Sequence, residues 1–441
     1  MLARDFIDDS LYNPNYGYFP TQAEIFDPDS LHSEDVASVE SGQRGFDFGS
    51  LRRGSDFADE LARRYGESEA GARRQVWHTP TELFKPWYAR AIARFLSSEY
   101  RLSLYPYADL TIVEIGAGNG TLMRGILDYL AQQDPEVYDR TRYRIVEISP
   151  RLAAQQKRQI GPEHATKVQI HQSSIFDWQE TVTEPCFIVA LEVLDNLAHD
   201  VVRYTLETHQ PLQCVVAVDQ TGDFHELYEP VSDPDLKRFL ALRQATPTSS
   251  RSPALNRFLS ASPALRKLRA SMPFAPNLTL PEFAPTRAVA LLDVLREKFP
   301  LHRLLMSDFD ALTDTVPGFN APVVQTRYDG QSVACSTYLV SQGFFDIFFP
   351  TNFKLLKELY ALVMQDHRTD PTAGASNDFF SPTRRRALSP AGGLFSGFAS
   401  QKLKIYGHAE FLTRYGELEK TQLKDGSNPM LEYYQNTKFI C

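Results

Sequence analysis

The stretch Glu114-Ile-Gly-Ala-Gly-Asn-Gly120 sets one acid and three glycines between an apolar run and a helical pattern. Glycine takes positive φ without steric penalty and lets a ligand approach the backbone where a Cβ would otherwise stand. Gly116, Ala117, Gly118 and Gly120 therefore predict a close-approach turn. Glu114, two residues before the first glycine, suits a cationic ammonium better than a pyrophosphate. A GxGxxG turn would carry its third glycine at the position of Thr121, so a dinucleotide reading is disfavoured. Further along, Glu147 ends the run Arg-Ile-Val-Glu, where a carboxylate can accept both hydroxyls of a ribose. Ile148 and Ser149 follow it, and Ser173, Ser174 and Ile175 offer small polar groups and an apolar face to a flat base. Glu192 and Asp195, three apart, would face one crevice if the chain turns into a helix there. The competing reading makes Asp195 a helix cap and Glu192 a plain polar residue. His199 and Asp200 are reserves for the same role.

Such side chains act together only if regular elements carry them to one edge. Residues 110–115 form a short apolar run of the kind found in buried parallel strands, and 121–133 follow with helical spacing at Leu122, Ile126, Leu127 and Leu130. The alternation repeats: strands over 143–148, 168–174 and 186–194, a polar helix from Arg151, then a helix over 291–299 leading into a strand over 302–308. This pattern predicts an α/β fold, an open parallel sheet with helices on both faces. Ligands bind such sheets beyond the carboxyl ends of the strands, where strand order reverses. Residues 323–328 and 336–349 read as a terminal β-pair, and 86–96 as a helix opening on Pro86. Thr79, Pro80 and Glu82, in His-Thr-Pro-Thr-Glu-Leu-Phe, precede the sheet. They either fold over the crevice and close a cofactor pocket, or mark a capped helix start with Thr79 or Thr81 as N-cap.

Composition excludes several classes. A net charge of −9 argues against a nucleic-acid footprint, and no apolar run reaches membrane-spanning length. The four cysteines, Cys186, Cys214, Cys335 and Cys441, lack metal or disulfide spacing, so no metal is expected. The acidic start, with Asp5, Asp8 and Asp9, is no transit peptide. Residues 27–60, 245–265 and 366–400 read as surface insertions, the last carrying the basic Arg384-Arg-Arg-Ala-Leu-Ser-Pro390 in a solvated loop.

The spacing of the glycine turn resembles that of S-adenosyl-L-methionine-dependent methyltransferases. FIDDSLYNPNYGYFP, WHTPTELFKPWYARAIARFL, VEIGAGNGTLMRGILDYL, YRIVEISPRLAAQQ, ALEVLDNLAHD and FFDIFFPTNF occur in that order. Together they are similar to the MidA-like methyltransferase family, over Phe6 to about Phe353 with a weaker match at GHAEFLTRYG. The resemblance implies a Rossmann-like, seven-stranded class I methyltransferase sheet with an N-terminal helical extension (1–106). A core over 107–360 with an insert near 210–285, a flexible insert (361–400) and a C-terminal tail (401–441) complete the expected division. It implies S-adenosyl-L-methionine as cofactor, held by Glu114, Gly116, Ala117, Gly118, Gly120, Glu147, Ile148, Ser149, Ser174, Ile175, Thr79, Pro80 and Glu82. Glu192 and Asp195 are then the catalytic candidates, forking onto a guanidinium. The family is associated with symmetric dimethylation of an arginine on a mitochondrial complex I subunit, which implies a protein substrate and the mitochondrion; the cytoplasm is the alternative. The chain departs from the family pattern in carrying Leu191 where an asparagine often precedes the strand-four glutamate. An assembly chaperone without catalysis and a small-molecule methyltransferase remain as other readings, and the oligomeric state is open.

Overall fold

The computed structural model describes residues 1–28, 45–71, 75–255, 264, 276–328, 331–365 and 402–441. Seven strands form the central sheet: β1 Leu110–Ile115, β2 Thr141–Val146, β3 Val168–His171, β4 Cys186–Leu191, β5 His302–Phe309, β6 Ile405–Gly407 and β7 Thr437–Ile440. Their order is β3-β2-β1-β4-β5-β7-β6. The first five run parallel, and β7 is antiparallel to both β5 and β6. The sheet is the expected α/β, Rossmann-like, seven-stranded arrangement, with strand order reversing between β1 and β4.

Alternation along each strand builds a core on either face, because successive side chains of a strand point to opposite sides. Ile112, Phe187, Val189, Leu305 and Phe439 join one cluster, and their neighbours Val113, Ile188, Ala190, Leu304, Met306 and Ile440 join the other. Helices Trp87–Ser103 (α1), Thr121–Gln133 (α2) and His408–Tyr415 (α3) supply buried residues to the first cluster. Helices Thr286–Lys298 (α4) and Phe353–Gln365 (α5) supply the second. Both are needed because a parallel strand buried on two faces has no solvated side.

Two expectations change and a third gains detail. The terminal β-pair is not 323–328 with 336–349: Val323–Tyr328 belongs to a separate three-stranded sheet with Gln331–Cys335 and Asp346–Phe348. The pair is supplied instead by β6 and β7, from the stretch read as a C-terminal tail. Within residues 27–60, Phe46, Phe48 and Phe57 are buried, with Phe57 stacked on Phe48 and meeting Phe46 edge to face, so that part is core rather than surface insertion. The region near 210–285 carries Pro211–Val218, Phe224–Pro230 and Glu282–Ala284, which join Asp200–Tyr204 in a four-stranded antiparallel sheet. The 366–400 insert lies outside the described residues, as do 29–44, 256–263 and 265–275.

Phe439 in β7 is fully buried, with its ring 4.0 Å from that of Phe411 in α3. Truncating a buried Phe to Ala costs about 3–5 kcal/mol. Phe439→Ala is expected to lose that amount in a urea unfolding titration, whereas a loss within about 0.5 kcal/mol, the size seen at surface sites, would mean these residues are a tail after all.

Candidate active site

All three glycines of the first strand-to-helix turn have left-handed φ: +70° at Gly116, +53° at Gly118 and +85° at Gly120, the N-cap of α2. A Cβ on Gly118 would stand 2.7 Å from Ile25 Cδ1, so a segment of the N-terminal extension lies against the turn. That segment, Ala23–Ile25, pairs in parallel with Gln75–Trp77. Arg151 donates to the Ala23 carbonyl at 2.9 Å, tying the strap to the helix Pro150–His164.

Glu82 fastens the extension to the turn more firmly. Its buried carboxylate accepts from Asn119 Nδ2 at 2.9 Å and Thr121 Oγ1 at 2.7 Å, and lies 3.4 Å from Lys85 Nζ. Thr79 caps the same short helix by accepting from the Glu82 amide, and the buried Pro80 holds its first position. The two readings of this segment are thus compatible: it is a capped helix start, and it closes on the turn. Burial pushes the Glu82 carboxyl up despite Lys85.

Glu114 and Glu147 are both buried at the ends of β1 and β2. Glu114 accepts from Tyr143 Oη at 2.7 Å, and burial pushes its carboxyl up to about 7. Glu147 accepts the Ser149 amide at 2.8 Å on one oxygen and Gln156 Nε2 at 2.8 Å on the other. A carboxylate offers about four acceptor positions, and Ser149, Gln156 and the Ile148 amide all favour its charged form against burial. Ile148, next in sequence, is 48% exposed, while Ile175 is buried. The hydroxyls of Ser149 and Ser174 accept from the amides of Leu152 and Phe176 as helix caps. Ala117 is nearly buried, and its carbonyl accepts the Gly120 amide at 2.8 Å, closing the turn.

The chain does not turn into a helix after β4. Glu192 takes φ +54° instead, and Asp195 stands in a turn, not at a helix cap. The loop is gripped on three sides. The Glu192 amide donates to Ser307 O at 2.9 Å, the Leu194 and Asp195 amides donate to Asp308 Oδ2 at 2.8 and 3.1 Å, and the Asp195 carbonyl accepts from the Phe349 amide at 2.8 Å. The carboxylates this grip presents are left open. Asp195 is buried and its Oδ1 has no hydrogen-bond partner, and the Glu192 side chain makes no hydrogen bond or ion pair among the described residues. Burial pushes Asp195 to about 7 and Asp346 to about 8, the latter helped by Asp195. Glu192 rises well above the carboxylate range through burial and then through Asp195 and Glu82.

Both reserves are structural. His199 stacks on Phe349 at 3.9 Å, gives Nδ1 to the Leu197 carbonyl at 2.7 Å, and is held neutral by burial, near 3. Asp200 is paired with Arg4 at 2.7 Å and accepts from Thr286. Sequence reading also missed Asp308 and Asp346. The first ends parallel strand β5 at the same edge as Glu192, and the second is the lone charge in Phe344-Phe-Asp-Ile-Phe-Phe349. Among the described residues, the cluster of metal-binding geometry is Asp128, Glu163 and His164, away from this edge, and Arg124 already pairs with both acids there.

Residues 91–369 match the family model described as "Putative S-adenosyl-L-methionine-dependent methyltransferase". The chain belongs to this methyltransferase family. It is 25% identical over 325 residues to the protein arginine methyltransferase NDUFAF7 homolog, mitochondrial, of Schizosaccharomyces pombe, covering 73% of this chain but only 66% of that protein. The homolog of the same name in Saccharomyces cerevisiae is 22% identical, covering 70% of this chain and 74% of the relative. Among solved structures, a COG1565 superfamily member from Burkholderia thailandensis bound to S-adenosyl-homocysteine aligns over 82% of this chain and 72% of its own, at 17% identity and a TM-score of 0.49.

A carboxyl whose folded value lies above its unfolded value near 4 stabilises the fold below that value and loses the contribution as pH rises through the folded one. For Asp195 and Asp346 the window is therefore from about 4 to about 7–8. Asp195→Asn, which holds no ionisable proton, is expected to gain melting temperature relative to wild type as pH goes from 5 to 8.5. A difference independent of pH in paired thermal scans would contradict the buried, unpaired state of Asp195.

Proposed function

We propose that the protein methylates an arginine side chain of a protein substrate, using S-adenosyl-L-methionine as donor, with Glu192 and Asp195 receiving the guanidinium. The supporting observation is the loop after β4: two carboxylates at the carboxyl edge of the sheet, without cationic partners among the described residues, one with a buried oxygen that none of their donors satisfies. Leaving a buried acceptor unsatisfied costs about 1–3 kcal/mol, more for a charged group, and a guanidinium with five donors is the side chain that relieves it. The names of the yeast relatives support arginine on a protein as acceptor, and the mitochondrion as compartment. The family resemblance extends the reading to symmetric dimethylation of a complex I subunit.

The residues at β1 and β2 fit the cofactor. The turn takes the left-handed φ that glycine permits at all three positions, Glu147 retains acceptor capacity beyond its Ser149 and Gln156 donors for a ribose, and the exposed face of Ile148 suits an adenine. When bound, the cofactor supplies an electrophilic methyl group on a sulfonium.

The protein's part is orientation and proton handling. Guanidinium is protonated at cellular pH and delocalised, hence a poor nucleophile. Paired carboxylates fix its plane through directional, charge-assisted bonds, and fixing two reactants in line can supply roughly 7–11 kcal/mol in favourable cases. Asp195 Oδ1 is the open acceptor for the proton that the attacking nitrogen sheds as its bond to carbon forms. A carboxyl near 7 is matched to that task, since it exchanges a proton readily at working pH.

Incubation with methyl-labelled S-adenosyl-L-methionine and a mitochondrial protein extract should label an arginine, located by mass spectrometry. Label on lysine, on small molecules only, or nowhere would sink the reading. Glu192→Gln and Asp195→Asn are expected to lower kcat/KM for the labelled acceptor by about 100-fold, the scale of one acid–base group, with cofactor Kd in calorimetry nearly unchanged. The acceptor kcat/KM should rise with pH through about 7, because the ionised Asp195 is the productive form.

A further inference from the structure

The acceptor reading leaves unexplained how two mutually repelling acids are held on an irregular loop that has no helix or strand of its own. Asp308 is the group that answers it. It lies at the carboxyl end of β5, fully buried, one residue beyond the Ser307 carbonyl that accepts the Glu192 amide. Its Oδ2 takes two consecutive amides from across the strand pair, Leu194 at 2.8 Å and Asp195 at 3.1 Å, while Oδ1 takes the Phe309 amide at 2.8 Å. Two donors converging on one oxygen fix both peptide planes between residues 193 and 195. The Asp195 carbonyl is pinned from the other side by Phe349. With its amide and its carbonyl both held, the direction in which the Asp195 side chain leaves the backbone is set, and in the rotamer it adopts Oδ1 has no hydrogen-bond partner among the described residues.

Resting on the guanidinium reading of Glu192 and Asp195, we propose that Asp308 is a positioning residue for the acceptor: its carboxylate clamps the 194–195 amides and so sets the direction in which Asp195 meets the guanidinium. Asp308 does not touch the substrate. It acts through Asp195, at the acceptor half of the crevice, whereas the glycine turn and Glu147 are positioned by the Ser149 and Gly120 caps at β1 and β2. Loss of the clamp is therefore expected to weaken acceptor use and to spare cofactor binding. No regular hydrogen-bond ladder would hold this loop in its absence, because the residues after Leu191 are outside β4.

The test uses the full chain with Asp308→Ala and Asp308→Asn, alone and combined with Asp195→Asn. The acceptor probe is N-acetyl-Gly-Arg-Gly-amide, with the lysine peptide as control. Hydrogen exchange by mass spectrometry follows the amides of residues 192–198. For Asp308→Ala, exchange of those amides should speed at least tenfold, KM for the arginine peptide should rise at least tenfold, and cofactor Kd should stay within twofold. Asp308→Asn keeps one oxygen to accept the two amides and should recover most of both losses; if the alanine variant does not fold, the same comparison is made between Asp308→Asn and Asp308→Leu. Combined with Asp195→Asn, loss of the clamp should add less than twofold to the acceptor defect, since residues acting as one unit are non-additive. Unchanged exchange, or single-variant losses that multiply in the double variant, would overturn the clamp. Wild-type protein that neither binds nor methylates the arginine peptide, yet shows the exchange difference, would instead defeat the guanidinium reading and with it the acceptor role of Asp308.

Discussion

Carboxylates withdrawn from water without a counter-ion are held up at a cost that only a bound cation or a proton relieves. This constraint organises the carboxyl edge of the sheet. Glu82, Glu192, Asp195, Asp308 and Asp346 converge there from four separate parts of the chain, and each is raised by burial, Glu82 despite the neighbouring Lys85. Two buried acids elsewhere are paired with cations: Asp200 has Arg4, and Glu282 has Arg243. Among the described residues no such partner stands beside Glu192 or Asp195. The backbone amides around Asp308 explain how the arrangement is tolerated, because N–H donors stabilise negative charge without filling the space a ligand needs.

The scaffold for this edge was largely legible in the sequence. Short apolar runs followed by helical spacing located β1 to β5, and Gly116, Gly118 and Gly120 all adopt the left-handed φ that glycine permits. The glutamates at the ends of β1, β2 and β4 could be found because strand ends carry ligands in parallel sheets. What periodicity could not reveal was pairing at long range. β6 and β7 are three and four residues long and separated by short helices, so their apolar residues read as a tail until β5 accepts β7. The runs at Val323 and Phe344 have stronger strand patterns, yet they pair with each other in a small sheet of their own.

Within the site, local rules misjudged the loop after β4. Spacing of three residues between Glu192 and Asp195 pointed to a helical turn, but tertiary contacts to Ser307, Asp308 and Phe349 override that preference and force positive φ on Glu192. Strain of that kind, about 1–3 kcal/mol, persists where surrounding structure over-determines the conformation. Asp308 and Asp346 escaped notice because nothing local distinguishes an aspartate that accepts buried amides from one that faces solvent. His199 was attractive for its chemistry and proved to be a stacking partner.

The antiparallel position of β7 between β5 and β6 has a consequence for how the protein is made. During vectorial synthesis, residues 302–309 emerge more than a hundred residues before 437–440, the strand that must lie beside them. Until then β5 presents an open, apolar edge on an otherwise assembled five-stranded sheet, a surface prone to mispairing with other nascent chains. The nascent protein is thus expected to depend on chaperone shielding in the interval, and to close its sheet only after residues 437–440 have left the ribosome.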